Sequence, residues 1–149
     1  MKTLIIARHG QRLGRDLSPV GRAGMNALAL RLRAVLPDGT VLVLSSPEPA
    51  ALESARLLAS IFDVKSEQCP ILESGGEKVE DVPRAYRLIL EKSALADVLI
   101  LVTHSEYCMA LPWHFLDQQG VAEPAVERLA NAQATVIDYQ TLTARVVAP

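Results

Sequence analysis

The sequence predicts an α/β fold: a three-layer α/β/α sandwich around a largely parallel central sheet. Three observations carry this. Short continuous apolar runs, Leu4-Ile5-Ile6-Ala7, Val41-Leu42-Val43-Leu44 and Val98-Leu99-Ile100-Leu101-Val102, recur along the 149 residues. Continuous rather than alternating runs mark strands buried on both faces. Helical patterns separate the runs, and strand alternating with helix favours parallel pairing.

The first helix is expected over residues 18–36, where Met25, Leu28, Leu32 and Val35 fall on one face. Ser18 caps it, Pro19 occupies its first turn, and Pro37-Asp38-Gly39 ends it. Ser46-Pro47 opens a second helix with Ala51, Ala55, Leu58 and Phe62 on one face. Residues 67–72 read as a weak strand, and Glu73 to Lys78 as a flexible acidic loop. Asp81 caps a helix that runs to about Lys92. A further helix spans Ser105 to about Gln119, with a kink or restart at Pro112 and an end at Gly120. Thr135–Tyr139 and Thr143–Val147 read as two strands at one edge, at least one of them antiparallel. No repeat or linker interrupts the pattern, so residues 1–149 read as a single domain.

Composition narrows the function. Fifteen Lys and Arg against 17 Asp and Glu leave a formal charge of −2, which offers no electrostatic attraction to nucleic acid or an anionic membrane. Apolar runs of about five residues are too short to span a bilayer. Arg8 follows too soon for a signal peptide. Two cysteines, Cys69 and Cys108, are too few for a disulfide framework, so the expected location is cytoplasmic.

Ligands of open α/β sheets bind beyond the carboxyl ends of the strands. The first run ends in Arg8-His9-Gly10, the second in Ser45-Ser46-Pro47, the third in Thr103-His104-Ser105. Two of the three histidines therefore stand at strand exits, with an arginine beside one and helix starts nearby. Arginine and helix N-termini both favour an anion. Two imidazoles and an anion cradle suggest phosphoryl chemistry with one histidine as nucleophile. No histidine or cysteine pair has metal-ligand spacing, so no metal site is expected. His114, beside Trp113 and Phe115, reads as packing or surface, and the two aromatic residues as core or interface, which leaves oligomeric state open.

These residues carry a resemblance. Leu4 through Gly10 is similar to the opening R-H-G motif of the histidine phosphatase superfamily, the phosphoglycerate-mutase-like fold. Leu17-Ser18-Pro19-Val20-Gly21 resembles its L-[ST]-x-x-G helix start, and Ser45-Ser46-Pro47 its S-S-P. Val102-Thr103-His104-Ser105 resembles its second-histidine motif, and Asn131-Ala132 fits its closing segment. The motifs cover nearly the whole chain in order.

The resemblance implies a covalent phosphohistidine on His9. Arg8 and His104 would hold the phosphoryl oxygens, water would release phosphate, and no cofactor would be needed. Gly10 and Ser105, beside the histidines, join the expected phosphate-binding set with Arg12 and Arg15. For the proton donor, Glu73 follows the Ile71-Leu72 strand, where the mutase-like branch carries its acid; Glu77 and Glu80 are alternatives. The compact length resembles the phosphohistidine-phosphatase branch. The expected partner is a phosphorylated small molecule or a phosphoprotein.

One departure stands out. The family pattern S-[PD]-x-x-R-A-x-Q-T-A meets Ser46-Pro47-Glu48-Pro49-Ala50-Ala51-Leu52-Glu53-Ser54-Ala55 here, so Ala50 replaces the second phosphate-binding arginine. Glu48 adds a negative charge nearby. Loss of one preorganised donor costs on the order of 10²–10³ in rate. Two expectations follow: a weak phosphatase in which Arg12, Arg15 or Arg84 fills the gap, or an impaired relative that binds an anion or a protein partner.

Overall fold

The computed structural model describes residues 1–75 and 80–149. The element order is β1 (Thr3–Arg8), β2 (Arg12–Leu13), β3 (Asp16–Leu17), α1 (Pro19–Val35), β4 (Val41–Ser45), α2 (Pro49–Ile61), β5 (Ser66–Gln68), a 3-10 turn (Pro70–Leu72), α3 (Asp81–Lys92), β6 (Val98–Thr103), α4 (Ser105–Gln118), β7 (Ala134–Asp138) and β8 (Thr143–Val147). Six strands form one sheet in the order β5-β4-β6-β1-β7-β8, and β2 pairs with β3 in a separate hairpin.

The three apolar runs are the three central strands. β6 lies between β4 and β1 and is parallel to both, while β7 and β8 are antiparallel. Alternate residues of each run feed opposite cores, because successive strand side chains point to opposite faces. Ile5, Ala7, Ile100 and Val102 join the layer of α1 and α2. Leu4, Ile6, Leu99 and Leu101 join Ile89 of α3 and Tyr107 and Phe115 of α4. No helix among the described residues is long and apolar enough to cross a membrane.

Several local expectations need correction. Val35 is exposed rather than on the buried face of α1. α2 begins at Pro49, with Glu48 as its N-cap, rather than at Ser46-Pro47. Only Ser66–Gln68 of the weak strand pairs with β4, because Pro70 lacks an N–H and the chain turns into a 3-10 helix. Glu80, not Asp81, is the N-cap of α3, and Asp81 instead meets Arg84 at 3.5 Å. α4 is assigned as one continuous helix through Pro112. The hairpin of β2 and β3, absent from the sequence reading, turns on Gly14 at φ +67°. Lys78 and Glu77 of the acidic loop lie outside the described residues.

Candidate active site

The register of the central strands levels their exits. Arg8 pairs with Thr103, and Ser45 with Val102, so the loops after β1, β4 and β6 leave the sheet side by side. The His9 amide then donates to the Thr103 carbonyl at 3.2 Å, and the Ser46 amide to Val102 at 3.0 Å. The exit of β1 packs tightly on α1. A Cβ on Gly10 would stand 2.6 Å from the Gly21 carbonyl oxygen, and one on Gly21 would stand 2.1 Å from that of Gln11. Both glycines are thus required by close backbone approach. Ser18 holds the same corner as N-cap of α1, its hydroxyl accepting the Gly21 amide at 2.9 Å.

His9 and His104 meet across this junction with ring centroids 5.2 Å apart, edge to face. Both are buried. His9 Nδ1 lies 2.8 Å from the Gly10 carbonyl oxygen. A carbonyl only accepts, so Nδ1 carries the proton and the neutral ring presents the Nε2 lone pair. The His9 pKa is held below its ordinary value first by burial, then by the charges of His104, Arg12 and Arg8, against the opposing Gly10 carbonyl. A neutral imidazole with a free Nε2 is the form a nucleophile requires.

Arg8 donates from one terminal nitrogen to the Leu129 carbonyl at 2.9 Å. Its Nε is buried with no hydrogen-bond partner among the described residues. A buried donor without a partner is costly, and an anion in the adjoining cavity would satisfy it. That cavity measures about 490 Å³ and is lined by Arg8, His9, Gln11, Arg12, Ser74, His104, Ser105, Glu106 and Asn131. Ser105 opens α4, so the positive end of that helix dipole faces the same space.

Helix α2 supplies the site's unusual part. Ala50 is buried in its first turn. Its carbonyl accepts the Ser54 hydroxyl at 2.7 Å, and that hydroxyl accepts the Gly10 amide at 3.1 Å. Glu53 accepts the Leu17 amide at 3.3 Å and pairs with Arg22. Ser54 and Glu53 therefore fasten the His9 loop and the hairpin to α2. Glu48 turns inward: its Oε2 lies 2.7 Å from His104 Nε2, which is also 2.9 Å from the Ser46 hydroxyl. Because a carboxylate only accepts, His104 Nε2 carries a proton. Ser74 adds its amide to Glu48 Oε2 at 2.7 Å and its hydroxyl to Oε1 at 3.0 Å. Burial raises the Glu48 pKa, but the Ser74 bonds and the charges of His104 and Arg12 outweigh it, so the pKa is lowered. The His104 pKa is also lowered: burial dominates, although Glu48, Glu106 and Glu73 oppose it.

The sequence-derived candidates divide. Arg8, His9, His104, Ser105 and Arg12 line one cavity, with Gly10 behind His9. Glu73 ends the 3-10 turn in an exposed position outside the cavity lining, while its neighbour Ser74 is part of it. Arg15 sits exposed at the turn of the β2–β3 hairpin, and Arg84 lies on α3 against Asp81. Neither lines the cavity. Glu80 is exposed at the start of α3, and Glu77 lies outside the described residues. The sequence reading missed Gln11, Ser74, Glu106 and Asn131. Glu106 follows Ser105 directly after the second histidine, so proximity in the chain was its available signal.

No family model matches the chain, and no curated protein matches it. Solved structures do. A mycobacterial hydrolase aligns at TM-score 0.73 and 18% identity, over 99% of this chain and 97% of that one. A protein assigned as phosphohistidine phosphatase SixA from Nakamurella multipartitia aligns at TM-score 0.73 and 19% identity, over 98% and 93%. Mycobacterial glucosyl-3-phosphoglycerate phosphatase in complex with VO3 aligns at TM-score 0.73 and 20% identity, over 99% and 98%. At these identities the likeness is one of fold: the fold implied by the resemblance to histidine phosphatases is the fold observed.

Proposed function

We propose that the chain is a phosphatase that moves a phosphoryl group from a phosphorylated small molecule or protein to His9, and from there to water. The observation that supports this most is the pairing of a free His9 Nε2 with the unpartnered, buried Nε of Arg8 beside one cavity. In the first step His9 Nε2 forms a bond to phosphorus, the bond from phosphorus to the leaving group breaks, and the leaving atom takes a proton from solvent. In the second, a water oxygen bonds to phosphorus and the N–P bond breaks. The bond electrons return to His9 Nε2, phosphate leaves with the oxygen and one proton of the water, and the other proton passes to solvent. Arg8, Arg12 and the start of α4 would stabilise charge on the phosphoryl oxygens as it shifts in the transition state. Nothing in this scheme needs a cofactor.

Turnover should be slow, because Ala50 contributes no donor and Glu48 occupies His104. The same Glu48–His104 contact supports a second reading, an impaired relative that binds an anion or a protein partner. Hydrolysis of a generic phosphomonoester and of a phosphohistidine peptide by wild type and His9→Ala separates the two. Turnover that His9→Ala abolishes supports the phosphatase. Equal, buffer-level rates for both proteins, with phosphate still bound, favour the binding module.

A further inference from the structure

Glu48 is bonded to two residues of the cavity lining, His104 and Ser74, and so brings a carboxylate beside a cavity whose other features suit an anion. A carboxylate offers about four acceptor positions and no donor when ionised. His104 Nε2 and the Ser74 amide use the two on Oε2, and the Ser74 hydroxyl uses one on Oε1. Among the described residues, one position on Oε1 remains for a donor. An oxyanion without a proton can bring only negative oxygens to that position, at a cost in repulsion and desolvation. An oxyanion that keeps a proton brings an O–H, which forms a short, charge-assisted bond to the carboxylate.

We propose that Glu48 is a specificity-determining residue that admits a phosphoryl group carrying a proton and turns away tetrahedral oxyanions that have none. The proposal rests on reading this cavity as a phosphoryl site. It runs opposite to what an arginine at position 50 would favour, because a guanidinium gains most from full ionisation. The other charged and titratable groups facing Glu48 or its partner are His104 at the start of α4, Arg12 of the hairpin, Glu106 of α4 and Glu73 beside Ser74. All of them meet either ligand alike. Two ligands of the same shape compared at one pH therefore isolate the proton.

Inorganic phosphate and sulfate are such a pair at mildly alkaline pH: both are tetrahedral and both chiefly dianions, and phosphate keeps one proton while sulfate keeps none. Calorimetric titration of wild type with each should give phosphate binding at least about tenfold tighter, the scale of one hydrogen bond to a charged group. In Glu48→Gln the amide can donate to either ion, so the ratio should fall to about threefold or less, chiefly through tighter sulfate binding. Sulfate binding as tightly as phosphate in wild type would overturn the proposal without any variant. So would a ratio unchanged in folded Glu48→Gln, or failure of wild type to bind phosphate. If phospho-His9 forms while the ratio is near one, the proposal falls and the phosphatase reading stands. If neither ion binds and no phospho-His9 forms, both fall.

Discussion

The Ser54 hydroxyl accepts the Gly10 amide at 3.1 Å and donates to the Ala50 carbonyl at 2.7 Å, so one buried side chain ties the His9 loop to the first turn of α2. The bond joins residues 44 positions apart. It anchors the position after His9 to a turn whose Ala50 side chain offers no charged group. Ser54→Ala leaves a buried amide without a partner and should cost about 1–3 kcal/mol in denaturant unfolding. Turnover should fall with it, because His9 loses its support. Ser54→Thr, which keeps the hydroxyl, should recover most of both.

The glycine contact beneath His9 makes a second prediction. A methyl at Gly21 would stand 2.1 Å from the Gln11 carbonyl oxygen, and one at Gly10 2.6 Å from that of Gly21. Neither can fit without moving backbone. Gly21→Ala and Gly10→Ala should each destabilise the fold by about 1–3 kcal/mol, the usual cost of overpacking. Gly75→Ala, with none of the described residues within 4 Å of the added carbon, meets no such clash among them; its φ of +82° is the remaining strain. Thermal melts of the three variants should separate the two kinds of glycine.

The buried histidines set a pH dependence. His9 and His104 both have pKa values lowered from 6.5, chiefly by burial. The unfolded chain therefore binds more protons than the folded chain between the lowered values and 6.5. Stability should be full above about 6.5 and should fall as pH drops through the lowered values. Urea unfolding between pH 7.5 and pH 5 tests this, with His9→Gln and His104→Gln each expected to flatten the slope.

If Ala50 leaves a phosphate-binding position vacant, an arginine there can fill it. Of the cations considered for it, Arg15 and Arg84 lie outside the cavity lining, and Arg12 lines the cavity from an exposed hairpin without a side-chain hydrogen bond among the described residues. Among the described residues, none of these three offers a guanidinium anchored in the cavity. Ala50→Arg should therefore raise kcat by about tenfold or more, within the range of a single oxyanion donor. It should also lower stability, because Ala50 is buried. A rise in phosphate affinity without a rise in kcat would mean that the new contact acts equally on ground and transition states.

Most of the layer structure was legible in the sequence because buried parallel strands are continuous in apolar residues. Leu4–Ala7, Val41–Leu44 and Val98–Val102 show this directly, and the strand-exit rule then brings Arg8, His9 and His104 together. Legibility ends where structure depends on few residues or on distant ones. The two-residue strands Arg12–Leu13 and Asp16–Leu17 are too short for any periodicity, so Arg15 could not be placed at a turn. The contacts of Glu48 to His104 and Ser74 span 56 and 26 positions and follow no local pattern. Val35 fits the helical spacing of α1, yet it is exposed, and Leu36, four residues after Leu32, packs against the core instead.

The central claim is that His9 Nε2 carries the phosphoryl group between substrate and water. The most direct test is rapid acid-free quenching during turnover of a phosphohistidine peptide or a phosphomonoester, followed by intact-protein and fragment mass spectrometry of wild type and His9→Gln. The account predicts the added mass of one phosphoryl group on wild type, located on His9 and stable to alkali but labile to acid, and none on His9→Gln. Phosphate release by wild type with no label on His9, or equal labelling of the His9→Gln protein, would contradict it.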